Sequence, residues 1–281
     1  MGILNVTPDS FADQGAFYDR KTAIARGLEI EREGAGIIDI GGESTRPGAT
    51  PVPAEEELDR TIPVIEALRS KGLRIPISID TYKAAVAERA IRAGAQVIND
   101  VSGLRLDPGM AAVARKHGVG LILMHIRGTP QTMQLLPPVR NIVRSVREGL
   151  QWSVRTALAA GVGKEQIVLD PGIGFGKSID QNFELIAALP RLRKLGFPLL
   201  AGPSRKSFIR KTIAARLVSD LTPAKLPAKL KDASPEQILC GTAAVVAACI
   251  LNGAQIVRVH DVRQMVAVAA LASRILQEGS R

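Results

Sequence analysis

Short apolar segments and longer amphipathic segments alternate eight times along the chain, and strand after strand closes on a polar side chain. Near-continuous apolar runs are expected of parallel strands covered on both faces. They fall at Gly2–Val6, Gly36–Gly42, Ile75–Asp80, Gln96–Asp100, Gly120–His125, Gln166–Asp170, Pro198–Gly202 and Gln255–His260. Helical periodicity occupies the stretches near 20–34, 54–71, 83–93, 108–117, 140–161, 181–194, 236–252 and 262–277. Helix punctuation agrees. Pro53 precedes three acids in a first turn, Gly72 follows the last periodic residues, and Asp107-Pro108 and Ser234-Pro235 read as an N-cap followed by a first-turn proline.

Eight β-then-α units in 281 residues fit a closed α/β barrel, the (β/α)8 or TIM architecture, for which about 250 residues is typical. The competing arrangement is an open, doubly wound sheet. Polar groups decide between them: Asn5, Glu43, Asp80, Asn99 with Asp100, His125, Asp170, Ser204 to Lys206, and Arg258 with His260 all fall at strand ends. An open sheet gathers its ligands at one switch point, whereas eight barrel strands converge on one mouth. The expectation is one barrel over residues 1–281, interrupted near 216–234 by an irregular, basic insertion containing Pro223 and Pro227.

Composition narrows the partners. No apolar run approaches the roughly 20 residues of a membrane helix, and Met1 to Pro8 lacks the pattern of a signal peptide. No membrane association and a cytoplasmic location are the expectations. Cys240 and Cys249 share one helical pattern without a CxxC and read as reduced thiols. A formal charge of +10 suits an anionic ligand, while aromatics at 3% leave few platforms for stacking bases, so no nucleic-acid partner is expected.

An Asp closing a buried strand is costly unless something binds it. Asp80, Asp170 and the Asn99-Asp100 pair all occupy such positions. Each alone reads equally well as a helix N-cap. Together they suit a planar ligand rich in N–H donors, such as an aminopyrimidine. Arg258 and His260 lie two apart, on one side of a strand, and with Asn5 suit a phosphate group, directly or through a divalent metal. Ser204-Arg205-Lys206-Ser207 follows the seventh strand and opens a helix, where backbone N–H groups favour an anion. Other signatures fail. The first glycine of a P-loop would fall at Pro171, there is no HExxH, and no G-x-S-x-G elbow is present. Loops 7–19 and 41–51 mix Gly or Pro with polar groups and read as lids over the mouth or as plain surface loops.

The motifs Gly2–Phe11 (GILNVTPDSF) and Asp39–Gly48 (DIGGESTRPG) resemble the two opening signatures of dihydropteroate synthases. Ile79-Asp80-Thr81, Ile98-Asn99-Asp100, Met124-His125 with Gly128-x-Pro130-x-Thr132-Met133-Gln134, Leu169-Asp170-Pro171-Gly172-x-Gly174-Phe175-Gly176-Lys177, Ser204-Arg205-Lys206-Ser207 and Arg258-Val259-His260-Asp261 continue the resemblance in order, over essentially the whole chain. That family joins 6-hydroxymethyl-7,8-dihydropterin diphosphate to 4-aminobenzoate, releases pyrophosphate and is a sulfonamide target. The resemblance implies that Asp80, Asn99, Asp170 and Lys206 hold the pterin, with Met124 and Phe175 bordering it. It implies that Asn5, Arg258, His260, Thr45 and Arg46 receive the diphosphate, with Asn5 on Mg2+. Phe11, Thr45, Pro47, Lys206 and Ser207 would shape the aminobenzoate position, and a homodimer is implied. The residues usual ahead of the first strand are missing, which implies a less fully plugged barrel floor. Two other functions fit parts of the pattern: a pterin-binding barrel that passes a methyl group to a corrinoid partner, and a noncatalytic pterin or phosphate binder. Neither requires the Ser-Arg-Lys and Arg-x-His groups to act on a diphosphate.

Overall fold

A computed structural model of the protein describes residues 1–7, 20–45, 48–217 and 233–279. Its strands are β1 (Gly2–Asn5), β2 (Ile38–Gly41), β3 (Ile77–Asp80), β4 (Val97–Asp100), β5 (Gly120–Met124), β6 (Ile167–Asp170), β7 (Leu200–Ala201) and β8 (Ile256–Val257). β1 to β6 pair in sequence order, all parallel, and β7 pairs with β8. Two parallel bridges complete the ring: Leu169 with Leu199 joins β6 to β7, and Gly2 with Val259 joins β8 back to β1. The barrel expected from the alternation is therefore formed, and each strand lies inside its expected apolar run. Asn5, Asp80, Asn99, Asp100 and Asp170 remain in the ladder as its last residues, so their side chains are presented at the strand ends.

Ten helices among the described residues surround it: α1 (Arg20–Arg32), α2 (Ala54–Ser70), α3 (Ala84–Ala93), α4 (Met110–His117), α5 (Ile142–Ala159), α6 (Ile179–Ala187), α7 (Leu189–Arg193), α8 (Ser207–Leu217), α9 (Pro235–Leu251) and α10 (Val262–Glu278). The core is a continuous layer between strands and helices, built on side chains such as Ile38, Ile40, Ile65, Leu68, Ile77, Ile79, Ile98 and Leu121, all excluded from solvent. Burial at about 25 cal/mol per Å² of apolar surface makes this layer the main favourable term in folding.

Prolines mark the departures from regular helix. The stretch near 181–194 is two helices, since Pro190 lacks the N–H that a continuous helix needs. Pro63 sits inside α2, leaving the Asp59 carbonyl without its helical donor, and Arg20 Nη2 donates to that oxygen at 3.3 Å. Ser234 caps α9 as expected, with Pro235 in the first turn and Gln237 completing a capping box. Asp107 does something different from the expected cap of α4. Its Oδ1 accepts the Gly109 N–H at 2.9 Å, closing a turn, and its Oδ2 accepts the Ala84 N–H at 2.8 Å, capping neighbouring α3. One carboxylate thereby ties two βα units together. Most of the 216–234 insertion lies outside the described residues.

Candidate active site at the barrel mouth

Carboxylates and cations meet where β2, β3, β4, β6 and β8 end. Asp39 of β2 is wholly buried, and its Oδ2 accepts from Arg258 Nε at 2.5 Å and from Asn99 Nδ2 at 3.0 Å. Asp80 accepts from Arg258 Nη2 at 2.6 Å through Oδ2. The remaining oxygens, Asp39 Oδ1 and Asp80 Oδ1, are buried and have no partner among the described residues. Unsatisfied buried acceptors cost about 1–3 kcal/mol each, so they mark a place where a donor is meant to arrive. Burial pushes the Asp80 carboxyl up to about 7, a rise that the Arg258 guanidinium opposes and the neighbouring Asp39 reinforces.

Asp170 closes β6. Its Oδ1 accepts the Gly172 N–H at 2.7 Å, and burial raises its carboxyl above the usual range. The turn that follows can approach this closely only because it is glycine-rich. Gly172 has φ +67°, and a Cβ there would come within 2.0 Å of the His125 carbonyl oxygen. Phe175 emerges from the turn to join a small apolar cluster with Val101, Met124, Ile126 and Met133, against which Tyr82 packs. This cluster supplies an apolar wall beside the carboxylates.

Lys206 reaches the same place from the loop after β7. Its Nζ donates to the Ile173 carbonyl at 3.0 Å and stands 3.8 Å from the centre of the Phe175 ring. Burial pushes its ammonium down to about 7, against the pull of Asp170. Arg205, immediately before it, adopts φ +56°, an uncommon conformation for a non-glycine residue. Arg205 is locked there by its Nε donating to Asp261 Oδ2 at 3.0 Å and by its backbone N–H donating to Thr242 Oγ1 at 3.3 Å.

His260 lies 3.0 Å through Nδ1 from Ser204 Oγ, and Ser204 Oγ accepts the His260 backbone N–H at 3.2 Å. Burial first, and then Arg258, pushes the imidazole down to about 3, so it is neutral. In the tautomer whose Nδ1 accepts from the serine hydroxyl, Nε2 carries the proton. Asn5, His260, Arg205 and Arg26, together with the acids Glu33 and Asp261, line a cleft of about 340 Å³.

Hydrogen bonds and ion pairs join Asn99, Asp80 and Arg258 through Asp39, and the charges of Asp170 and Lys206 act on one another and on Arg258. Met124 and Phe175 belong to the apolar cluster, and Asn5 and His260 line the cleft. Thr45 is half-buried on the loop after β2, and Ser207 is the exposed first residue of α8. Phe11, Arg46 and Pro47 lie outside the described residues. Three polar strand-end residues face elsewhere. Asp100 accepts from Ser102 N–H, Ser102 Oγ and Leu104 N–H, closing a turn. The His125 ring packs beneath Gly149 of α5. Glu43 accepts from Tyr82 Oη at 2.8 Å and pairs with Lys83, which donates to buried Glu57 at 2.6 Å, anchoring the root of the second loop. That loop meets the one after β5, where the Gly48 N–H donates to the Pro130 carbonyl at 3.2 Å.

Asp39 and Lys177 carry no role in the sequence reading. The signal for Asp39 was available: a carboxylate inside an otherwise apolar buried strand. Lys177 offered only its place beside a glycine turn.

Such a fold and such a mouth define a barrel enzyme built to hold a small, donor-rich heterocycle beside an anion. The chain belongs to the pterin binding enzyme family, whose model matches residues 1–260. It is 48% identical over 275 residues to the dihydropteroate synthase of Synechocystis, covering 98% of this chain and 89% of that one. It is similar to the crystal structure of dihydropteroate synthase from Clostridium difficile in the presence of pteroic acid, with TM-score 0.83, 42% identity and coverage of 98% and 95% of the two chains. It is also similar to the Xanthomonas albilineans dihydropteroate synthase with 4-aminobenzoic acid, with TM-score 0.83, 41% identity and coverage of 98% and 91%.

The raised Asp80 carboxyl has a consequence for the ligand-free protein. Its folded-state value, about 7, exceeds the ordinary 3.8. Its contribution to stability is therefore complete below pH about 4 and lost as pH rises through about 7. Asp80→Asn should flatten the fall in stability between these limits, read as the urea midpoint against pH. A slope unaffected by the substitution would contradict the assignment.

Proposed function

We infer that this chain is a dihydropteroate synthase, a transferase of folate biosynthesis that joins 6-hydroxymethyl-7,8-dihydropterin diphosphate to 4-aminobenzoate, giving 7,8-dihydropteroate and pyrophosphate. The observation that carries this reading is the division of one barrel mouth into buried acceptors and cations, in a chain so similar over its whole length to synthases of this name. In this proposal the pterin lies against Met124 and Phe175 with its amino and ring N–H groups toward Asp80 and Asp170. Asn99 and Lys206 supply donors for the heterocycle's acceptors. Arg258 uses two nitrogens on Asp39 and Asp80, which leaves Nη1 for the diphosphate, together with His260 Nε2, Asn5, Thr45 and Arg46. Phe11, Thr45, Pro47, Lys206 and Ser207 frame the aminobenzoate.

Mg2+ is part of the proposal. Asn5 offers a hard carboxamide oxygen at the cleft, and among the described residues no group of three or more His, Cys, Asp or Glu side chains could hold a metal. One neutral protein oxygen beside a diphosphate suits Mg2+, which keeps most of its shell for water and phosphate oxygens. When bound it would neutralise charge on the leaving group. The protein's own groups act alongside it: Arg258 and His260 donate to oxygens that gain charge as the exocyclic C–O bond breaks and its electron pair departs with pyrophosphate. The electron-rich pterin spreads the positive charge left on the methylene carbon, against the carboxylates of Asp80 and Asp170. The aniline nitrogen then forms the C–N bond and gives up a proton, without a covalent enzyme intermediate.

A cytoplasmic homodimer completes the reading. No described helix is long and apolar enough to cross a membrane. Leu271 and Ile275 of α10 are 69% and 62% exposed, with Val266 and Leu251 nearby in the same helical layer, an apolar face suited to a second copy. Sedimentation at micromolar concentration tests this, and a monomer contradicts it. The activity is tested by incubating the protein with both substrates and Mg2+. Pyrophosphate release that depends on 4-aminobenzoate, with dihydropteroate formed, is expected; its absence in folded protein contradicts the reading. Lys206→Ala should lower kcat/KM by about 100-fold or more, the scale for losing one preorganised donor.

A further inference from the structure

Lys177 is 6% exposed, charged by type and unused by the reaction. Among the described residues no carboxylate forms an ion pair with it. Instead its Nζ donates to two backbone carbonyls, His125 at 2.7 Å and Gly172 at 2.7 Å. A buried lysine held by two carbonyls satisfies two donors and no more, the state that suits a neutral amine. Burial pushes its ammonium well below the ordinary lysine range. A chain that needed only packing here would place a methionine or leucine, at no desolvation cost.

The two carbonyls are the informative part. His125 follows the last residue of β5, and its N–H donates to the Asp170 carbonyl at 2.9 Å, the final rung between β5 and β6. Beyond that rung the chain turns at Gly172, with φ +67°, in close approach to the His125 carbonyl. Lys177 ties the two segments together through both carbonyls. Gly172 is held from both sides: its N–H donates to Asp170 Oδ1 at 2.7 Å, and its carbonyl receives Lys177 Nζ and also the Phe175 N–H at 3.0 Å. One buried amine therefore holds the Gly172 carbonyl, which also receives the Phe175 N–H, next along the chain from the Gly172 N–H that meets the Asp170 carboxylate. Phe175 in turn faces Lys206 Nζ at 3.8 Å.

We propose that Lys177 is a positioning residue for the pterin subsite, acting as a clamp behind the glycine turn that sets the Asp170 carboxylate and the Phe175 ring. It touches no substrate. The inference rests on the dihydropteroate synthase reading for its kinetic consequences, but the clamp itself is a property of the free protein.

The test uses Lys177→Met, which keeps length and volume but removes both donors, and Lys177→Gln, which restores donor capacity on a shorter arm. Hydrogen exchange of the Gly172 to Gly176 amides is measured on the free proteins. Steady-state constants are measured for both substrates. In Lys177→Met, exchange in this turn should accelerate at least tenfold while β1 to β4 stay protected. KM for the pterin diphosphate should rise about tenfold, a loss of roughly 1.4 kcal/mol, with KM for 4-aminobenzoate changed less than twofold. Lys177→Gln should fall between Met and the parent. Unchanged exchange in the turn, equal effects on both KM values, or unfolding of both variants would overturn the proposal and assign Lys177 to general stability. If the parent protein is inactive, the function reading fails, and exchange in the turn still decides the clamp.

Discussion

Arg258 lies between Asp39 and Asp80, and the mouth of the barrel is organised around that ion cluster. A guanidinium brought out of water at the end of β8 requires carboxylates, and β2 and β3, the second and third strands round the ring from β8, supply them. Removing one partner from such a cluster strands a buried charge at about 3–5 kcal/mol. The cluster thus links the closing strand to β2 and β3 across the barrel interior, where backbone ladders do not reach. Among the described residues, it also leaves one oxygen of each carboxylate without a donor. The free protein bears the cost of a site prepared for something else.

Charge divides the mouth without separating it. Asp170 lies toward Lys206 and the apolar wall of Met124 and Phe175, whereas His260 and Asn5 open onto the adjoining cleft. Arg258 belongs to both halves, since it neutralises the acceptors and presents a remaining nitrogen toward the proposed diphosphate. The proposed pterin and its leaving group would be read by one connected network, so orientation of the ring and stabilisation of the departing charge are set together. The glycine turn after β6 and the left-handed Arg205 serve this network from opposite sides, and each is held by hydrogen bonds made outside the mouth.

The barrel was legible because burial on both faces of each strand shows as an apolar run, and only the ends moved inward by a few residues. The converging acceptors at Asp80, Asn99 and Asp170 were legible for the same reason, since a polar group closing such a run is costly. Facing was harder. In Asn99-Asp100 and Met124-His125 one residue turns to the mouth and its neighbour turns outward, as strand alternation requires. Asp100 and His125 thus belong to a turn and to the packing against α5. Asp39 gained its meaning from Arg258, 219 residues away, a pairing that local pattern does not specify. Lys177 closed a motif without a role, because its partners are carbonyl oxygens, which every residue carries. Motif order, by contrast, supplied the pterin and the diphosphate; strand patterning supplied only acceptors and cations.

The central claim is that the unpartnered carboxylate oxygens receive N–H donors of the heterocycle. Donors arriving at Asp80 stabilise its ionised form, so a carboxyl near 7 in the free protein must lose its proton on binding. Calorimetric titration with 6-hydroxymethylpterin, lacking the diphosphate, at pH 6 in buffers of different ionisation enthalpy measures that proton directly. Net proton release is predicted, and it should disappear in Asp80→Asn. Binding with no net release, or release that persists in Asp80→Asn, would contradict the account.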